Sequence, residues 1–334
     1  MFCPNPFSRI EIKSNGGVYG CCEGWLPTPF GNVLESDLNA IWDGTVARSI
    51  RNSITDGSFR FCTSCPYLPG PAGSVVAARP TGFPGHSRIK TLKMDYDQSC
   101  NLTCPSCRAV HSNEFVDLPK ARAIHSAVLA SGIIERVDQL HITGSGDPFA
   151  SPIFWPMLQN FPAVKKRPKI LLHTNGQLLD EAHWVAMSSS QDLVTDIAIS
   201  VDAGCDLTYL DNRRSSWTRL WKNIHFVNEL QKSRPIVLGM FFTVQTNNFK
   251  ELLTFVRMAF EHHACWISIT ALRNWGSYTD AEYAQRAVHV PTHPLFEQFQ
   301  RVMSDALLKD PRIVVDSFNP SNNVQKPLVP AASL

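Results

Sequence analysis

Three cysteines stand close together in this sequence, Cys100, Cys104 and Cys107, in the spacing C-x3-C-x2-C. Thiolates are the usual protein ligands of iron-sulfur clusters and of structural zinc. Three thiolates on one short loop can hold three irons of a four-iron cubane, whereas structural zinc needs a fourth protein ligand to complete its tetrahedron. The spacing therefore predicts an iron-sulfur cluster with one iron open to a substrate or cofactor. Zinc completed by a distant ligand, or thiols that are together by coincidence, are the alternatives.

A second group of cysteines occupies the N-terminal segment of about 65 residues, which is too short to own a large apolar core. A metal would supply the missing cross-links. Four thiolates close a four-iron cluster and leave no open iron, which suits electron transfer or a structural role. A four-cysteine zinc site is the alternative. The cysteines of this segment are Cys3, Cys21, Cys22, Cys62 and Cys65, and the last two form a C-x2-C pair.

Composition and length limit the class of protein. The chain has 334 residues, enough for about two domains, with 44% apolar and 18% charged residues. Its 31 basic and 29 acidic residues give a net charge of +2, so we expect no nucleic-acid partner. The N-terminus lacks the features of a signal peptide, and the longest apolar run, 236–244, is too short to span a membrane. We therefore expect a cytoplasmic protein whose clustered cysteines bind metal.

Strand-like runs alternate with amphipathic helical stretches after the cysteine-rich segment. This pattern predicts an α/β fold with a parallel sheet, either a partial barrel or an open doubly wound layer. In both folds function lies at the C-terminal ends of the strands, and the Cys100 loop follows the first of them. The predicted strands are 91–97, 139–144, 169–176, 196–203, 235–245 and 265–272.

The chain resembles the radical S-adenosylmethionine superfamily, and the resemblance covers residues 90 to about 275. HITGSGDPF (141–149) is similar to the family's glycine-rich stretch after the second strand, whose backbone meets the methionine amino group. HTNG (173–176) and SVDA (200–203) resemble its strand-end motifs, and the second of these contacts the ribose. DLTYLDNRR resembles its Thr-Tyr-x3-Arg pattern, here Thr208, Tyr209 and Arg213. The resemblance implies cofactor contacts at Gly144, Ser145, Gly146, Asp147, Ser200, Asp202 and Arg213.

One position departs from the family pattern. An aromatic residue usually precedes the third cysteine and lies beside the adenine, but Ser106 stands here. The adenine must then meet another apolar wall, for which Tyr96 and Phe149 are candidates. Ligation of the cluster is unaffected by this change.

The N-terminal segment resembles the SPASM-type auxiliary cluster module. PFSRIEIKSNGGVYGCC is similar to its hairpin with a glycine turn before the cysteine, and LNAIWDG to its short helix with a Trp. The resemblance implies a four-iron cluster held by Cys3, Cys21, Cys62 and Cys65, with Cys22 as an extra thiol. The module usually follows the radical domain, whereas here it precedes it.

The two resemblances imply a partial (β/α)6 TIM-type barrel with a small N-terminal cysteine-rich module. We expect the module at 1–66, a Pro/Gly-rich linker at 67–88, the barrel at 89–285 and a C-terminal extension at 286–334. They also imply S-adenosylmethionine as cofactor and reductive cleavage that yields a 5′-deoxyadenosyl radical, which abstracts hydrogen from an unactivated carbon. The resemblances further imply a net oxidation of the substrate, assisted by the auxiliary cluster. The implied partners are a small-molecule or peptide substrate and a one-electron donor such as flavodoxin or ferredoxin.

Two other functions fit the same residues. One is a single-cluster radical enzyme with a structural zinc in its N-terminal module. The other is a non-catalytic iron-sulfur or zinc protein that carries electrons or acts as a scaffold. Cys205 follows SVDA and could donate a hydrogen atom or ligate iron, although a spare loop thiol is the simpler interpretation. His141 and His173 lie on predicted strands, where they could contact substrate or be satisfied within the core.

Overall fold

The computed structural model describes residues 2–63, 65, 68, 88–107 and 116–315. Of the predicted linker at 67–88, only Leu68 and Arg88 belong to this set. The end of the predicted C-terminal extension, 316–334, also lies outside the described residues.

A single mixed sheet organises the described part of the chain. Within those residues it contains ten strands, which lie side by side in the order β10-β9-β8-β7-β6-β5-β4-β1-β2-β3 once they are numbered along the chain. The strands are β1 Arg9–Lys13, β2 Gly17–Tyr19, β3 Gly31–Asn32, β4 Thr91–Asp95, β5 Gln139–Ile142, β6 Lys169–Thr174, β7 Val194–Ser200, β8 Val237–Val244, β9 Trp266–Ala271 and β10 Ile313–Val315.

Eleven α-helices accompany these strands in the described ranges. None of them is both long and apolar enough to cross a membrane. The helices are α1 Asn5–Ser8, α2 Leu38–Trp42, α3 Thr45–Thr55, α4 Leu118–Ala130, α5 Phe154–Gln159, α6 Glu181–Ala186, α7 Asp206–Arg213, α8 Trp217–Ser233, α9 Leu252–Glu261, α10 Asp280–Arg286 and α11 Phe296–Met303.

The six strands β4 to β9 are parallel and neighbour one another in sequence order. At least one helix separates each pair along the chain. Right-handed crossovers that always advance in one direction put all of these helices on the same face of the sheet. The predicted alternation of strands and helices around a parallel sheet is confirmed. Among β4 to β9 the strand order never reverses, unlike the order in a doubly wound layer, whereas β1 to β3 continue the sheet in the opposite sense.

The two faces of these strands differ in polarity because side chains alternate along a strand. One face carries apolar residues such as Leu92, Met94, Leu140 and Ile142, all at 0% exposure in the main core. The opposite face, which we call the interior face, carries Lys93 on β4, His141 on β5 and other polar side chains described below.

The N-terminal segment is part of the same sheet. β1 pairs in parallel with β4 along its whole length, from Arg9 opposite Thr91 to Lys13 opposite Asp95. Ile10 and Ile12 of β1 belong to the main core and are fully buried. A segment too small to form its own core is therefore stabilised by the core of the larger unit.

The sheet is strongly curved. Trp25 lies in the loop after β2, near one end of the strand order, and Arg273 lies after β9, near the other end. The Arg273 guanidinium nevertheless lies 5.6 Å from the centre of a Trp25 ring, a cation-π contact. The loops after β2 and β9 therefore meet, although their strands lie near opposite ends of the strand order.

Candidate active site

The Cys100 loop begins where β4 ends, as the sequence predicted. Cys104 is buried, Cys100 is partly exposed and Cys107 is exposed. The Cys107 amide donates to the Cys104 carbonyl at 3.0 Å, and the Leu102 amide donates to Cys100 Sγ at 3.4 Å. Backbone hydrogen bonds of this kind hold the three thiols on one compact turn.

All three thiols border one open cavity of about 80 Å³. The opposite wall is formed by residues 144–146 after β5 and by residues 173–175 at the end of β6. Ser200 from the end of β7 and Arg213 from α7 complete the lining. The cavity lies at the C-terminal ends of the parallel strands, where the fold predicts function.

Gly146 has to be glycine because the backbone of the Cys100 loop passes directly beside it. A Cβ atom at this position would lie 2.6 Å from both the Asp97 and the Ser99 carbonyl oxygens. Gly144 is also crowded, but there the nearest atom is the flexible Lys93 Nζ at 3.0 Å. The loop can therefore approach a ligand with its backbone while packing against the cysteine loop.

Asp147 does not line the cavity, although the family resemblance suggested a cofactor contact. Its carboxylate is fully buried and accepts hydrogen bonds from the Thr174 hydroxyl at 2.7 Å, the Asn175 amide at 2.9 Å and the Phe149 amide at 3.0 Å. Burial raises the pKa of this carboxyl above its usual value. Asp147 thus ties the loop after β5 to the loop after β6.

Asn175, which Asp147 holds in place, reaches the first cysteine. Its side-chain amide donates to Cys100 Sγ at 3.6 Å and to Asn101 Oδ1 at 2.8 Å. Sequence reasoning included Asn175 only within the HTNG motif and gave it no role. Its place at the end of the third predicted strand, next to a glycine, is the signal that could have singled it out.

Asp202 also acts behind the cavity wall and is not part of the lining. It has a left-handed backbone, with φ of 60°, and its carboxylate accepts from the Thr243 amide at 2.6 Å and from Arg213 Nη1 at 3.1 Å. Burial opposes the charge on Arg213, but Cys104 and Asp202 outweigh it and raise the pKa of this guanidinium. Arg213 therefore remains a cation beside the thiols, and its Nε atom has no hydrogen-bond partner among the described residues.

Neither Tyr96 nor Phe149, the candidates for the adenine wall, is among the residues that line the cavity. Tyr96 is 1% exposed and its hydroxyl bonds to His125 Nδ1 at 2.7 Å, while Phe149 is 4% exposed and packs on Trp155. The aromatic ring among the lining residues is His173. The His173 ring stacks on Phe241 with centroids 4.6 Å apart, and its Nε2 is 3.2 Å from Ser200 Oγ.

Cys205 begins α7 and contacts other protein groups. Its thiol donates to Glu251 Oε1 at 3.3 Å and lies 3.5 Å from Thr208 Oγ1. The same carboxylate accepts from the Thr208 hydroxyl at 2.6 Å and from the Gly204 amide at 2.8 Å. Cys205 is absent from the cavity lining, which agrees with a loop thiol that helps to fix the start of this helix.

The structure brings the N-terminal thiols together around α1 and the turn after α3. Cys3, Cys62 and Cys65 pack on the same small apolar cluster. Burial, together with the nearby Cys65 and Cys62 thiols, raises the pKa of Cys3 to about 12. Burial and Cys3 likewise raise the pKa of Cys21, whose sulfur accepts from Asn5 Nδ2 at 3.7 Å. Buried thiols that would repel one another as thiolates suit a cationic metal centre.

Cys22 shapes the turn that follows the N-terminal hairpin. Its carbonyl accepts from the Trp25 and Leu26 amides at 3.0 and 2.9 Å.

No three His, Cys, Asp or Glu side chains among the described residues converge closely enough to share a single metal ion. In a four-iron cluster each thiolate binds a different iron.

Sequence reasoning missed a set of charged side chains on the interior face. Arg9, Glu11 and Lys13 of β1 alternate with apolar residues, and so do Lys93 and Asp95 of β4. The period-two alternation of charged and apolar residues in RIEIK and TLKMD was the available signal. This alternation did not predict the charged set, because the local sequence does not show that these two strands pair.

Comparison with known proteins identifies the N-terminal segment. Residues 3–66 match SPASM, an iron-sulfur cluster-binding domain. The resemblance drawn from the cysteine hairpin and the short Trp helix is therefore confirmed for this segment. No curated protein matches the sequence significantly.

Several solved structures overlap with parts of this fold. Streptococcus suis SuiB bound to precursor peptide SuiA is 11% identical over 81% of this chain and 62% of its own, with a TM-score of 0.47. SuiB bound to S-adenosylmethionine is 12% identical over 67% of this chain and 46% of its own, at 0.43. The radical S-adenosylmethionine methyltransferase TsrM from Kitasatospora setae is 11% identical over 59% of this chain and 41% of its own, at 0.39. This chain thus spans about half the length of these proteins, and its function is inferred from its own residues.

Proposed function

We propose that this protein is a radical S-adenosylmethionine enzyme. The observation that carries the proposal is that Cys100, Cys104 and Cys107 and the glycine loop at 144–146 border one cavity. The two features follow different strands. The cysteines would bind the iron-sulfur cluster, and the glycine loop would bind S-adenosylmethionine on that cluster. Three thiolates fit a four-iron cluster with one open iron, and a loop with glycines on both sides of one serine lets its backbone approach a ligand that chelates that iron.

The remaining residues of the cavity orient and shield the cofactor. Ser200 and Arg213 line the cavity, where we expect them to meet the ribose and neighbouring groups, and Asp202 bonds to Arg213. Asn175 donates to Cys100 Sγ, which steadies a cluster ligand and lowers the electron density on sulfur. When bound and reduced, the cluster would supply one electron to S-adenosylmethionine and so generate the radical that abstracts hydrogen from a substrate carbon.

A second cluster completes the proposal. Cys3, Cys21, Cys62 and Cys65 lie within the SPASM match and would supply four thiolates to one four-iron cluster. With no open iron, such a cluster suits acceptance of the electron left on a product radical, which gives a net oxidation. Structural zinc in the same thiols is the second candidate, but it would require these thiols to move closer together, since no three of them converge on one ion in the described residues.

The substrate of this reaction is a small molecule or a peptide. The structure of SuiB contains a bound precursor peptide, an observation made on SuiB itself. The electron would come from an external one-electron donor such as flavodoxin or ferredoxin. The limits 1–66 for the module and 89–285 for the barrel remain part of the proposal.

Metal content after anaerobic reconstitution tests this arrangement. We expect about eight irons per chain, and about four in both the Cys104→Ala and the Cys62→Ser variants. The Cys265→Ala variant changes an exposed thiol outside both sites and should retain about eight. About four irons with one zinc in the parent would favour the zinc alternative. A parent that binds no iron would contradict the proposal.

A further inference from the structure

The interior face between the two proposed cluster sites carries a wall of charged side chains from β1 and β4. Parallel pairing sets Glu11 opposite Lys93 and Lys13 opposite Asp95, and Arg9 precedes them on the same face of β1. We call these five side chains the charged wall. Its strands belong to different parts of the chain, since β1 lies within the SPASM match and β4 begins the barrel.

The cations of the charged wall are the more accessible members. Arg9, Lys13 and Lys93 have side-chain exposures of 15 to 19%, against 3 to 4% for Glu11 and Asp95. Arg9 contacts Glu11 at 2.8 Å and Lys13 contacts Asp95 at 2.7 Å. Burial would raise the pKa of both carboxyls, but Lys93 and the other cations lower it to about 2, so both are ionised. Three cations and two carboxylates leave a net charge of +1.

Lys93 is the cation of the charged wall that lies farthest from the two carboxylates. Its Nζ lies 3.8 Å from Glu11 Oε2 and 3.7 Å from Asp95 Oδ2, both beyond hydrogen-bond distance. The same Nζ would be 3.0 Å from a Cβ on Gly144, whose backbone lines the cavity. Lys93 therefore lies at the border between the charged wall and the cofactor cavity.

His141 is the second polar group of this region, and it lies directly opposite Lys93 on β5. It is 6% exposed, and neither of its ring nitrogens has a hydrogen-bond partner among the described residues. Burial and Lys93 lower its pKa well below the usual value, so the ring is neutral. A neutral imidazole offers one N–H donor and one acceptor, and leaving both unmet in a buried place costs free energy unless a ligand meets them.

We propose that Lys93 and His141, supported by the other cations of the charged wall, bind an anionic oxygen group of the substrate, a carboxylate or a phosphate ester. A protonated amine and an N–H donor are the groups that recognise such oxygens. This inference rests on the proposed function. It adds that the substrate is anionic and that its anion is anchored on the interior face beside the cofactor cavity.

The position of the charged wall fits a substrate that has to meet both clusters. Arg9 and Glu11 lie close enough to Cys21 to affect its pKa, and Lys93 lies beside Gly144 of the cavity loop. A substrate anchored here would lie between the radical source and the proposed electron acceptor.

Calorimetric titration of the reconstituted, unreduced protein tests this inference. S-adenosylmethionine is present at saturation, ionic strength is held constant, and the probes are inorganic phosphate and acetate. We expect saturable binding of at least one of them with one site per chain, and at least about tenfold weaker binding in Lys93→Met, because one charged hydrogen bond is lost. Lys93→Arg should retain most of the affinity.

The matched control is Lys232→Met, which removes an exposed lysine of α8 that pairs with Glu229. His141→Phe retains an aromatic ring but removes both nitrogens, and it should weaken the same binding by about tenfold. Circular dichroism checks that each variant is folded. Binding of phosphate alone or of acetate alone identifies the kind of anion.

Two results would overturn the inference. The first is the absence of saturable anion binding in the folded parent, and the second is equal affinity in the parent, Lys93→Met and His141→Phe. Because the titration needs no reduction, it is independent of radical chemistry. A parent that cleaves S-adenosylmethionine but binds no anion contradicts this inference alone, whereas one that binds anions without cleaving the cofactor contradicts the proposed function.

Discussion

Gly146 shows how a single residue without a side chain can hold two loops against each other. Its Cα faces the Asp97 and Ser99 carbonyls so closely that any Cβ would approach them to 2.6 Å. Those carbonyls belong to the segment that leads into Cys100. A change at Gly146 is therefore transmitted to the cysteine loop as well as to the cavity wall.

We predict that Gly146→Ala weakens S-adenosylmethionine binding by at least about tenfold, because two backbone oxygens would have to move and steric overpacking costs about 1–3 kcal/mol. Equilibrium binding to the reconstituted protein measures this effect. Gly144→Ala is the matched control, since its nearest neighbour is the movable end of Lys93, and it should bind more tightly than Gly146→Ala. Equal affinity in both variants would contradict the steric account.

Asp147 links neighbouring strand ends through a carboxylate that only accepts hydrogen bonds. In Asp147→Asn at least one of its three donors would face an amide NH2 group, and we expect a loss of about 1–3 kcal/mol in the free energy of unfolding. Denaturant unfolding measures it. Asp211→Asn on the exposed side of α7 should be neutral. Equal stability of the two variants would show that Asp147 does not tie these loops together.

The positions of residues were predictable from the sequence where spacing alone defines them. The three cysteines on one loop and the glycine turn at 144–146 lie together as predicted. Asp147 and Asp202 were expected to touch the cofactor, yet both bond to protein groups behind the cavity. The sequence does not say which way a carboxylate turns, because that depends on the donors brought near it by distant strands.

At the scale of elements, the positions of strands along the chain were more predictable than the pairing of one strand with another. All six predicted strands from 91–97 to 265–272 are present, with ends shifted by a few residues. The pairing of β1 with β4 joins segments about 80 residues apart and was not anticipated. Alternation reveals which face of a strand is buried, but non-local pairing depends on a register that local sequence does not encode.

Helix α3 anchors the N-terminal segment through Arg51. Its Nε donates to the Pro6 carbonyl and its Nη1 to the Trp42 carbonyl, both at 2.8 Å, and its guanidinium lies 3.9 Å from a Trp42 ring centre. Arg51 therefore connects three helices of this segment, α1, α2 and α3, and α1 begins two residues after Cys3.

We predict that Arg51→Met destabilises the protein by about 2–4 kcal/mol, because two buried carbonyls lose their charged donor. It should also lower the occupancy of the N-terminal metal site while leaving that of the Cys100 site unchanged. Thermal unfolding and metal content measure the two effects. Arg48→Met, on the exposed side of the same helix, should change neither. A variant Arg51→Met as stable as Arg48→Met would refute this role.

At the scale of the whole molecule, sequential winding explains why one chain can hold two metal sites around one interior. Each parallel strand delivers its C-terminal end to the same side of the sheet, and these ends supply the cavity. β1 to β3 extend the same sheet, so the N-terminal thiols are fixed relative to the cavity by the shared core. The predicted fold class follows from local patterns, whereas this union of the two parts follows from packing alone.

The central claim is that Cys100, Cys104 and Cys107 form a site that cleaves S-adenosylmethionine reductively. The most direct measurement is the formation of 5′-deoxyadenosine by the reconstituted, reduced protein under anaerobic conditions. We predict that the parent and Cys205→Ala form it, since Cys205 lies outside the cavity lining, and that Cys100→Ala, Cys104→Ala and Cys107→Ala do not. Formation by Cys104→Ala at the rate of the parent, or none by the parent with both clusters present, would contradict the claim.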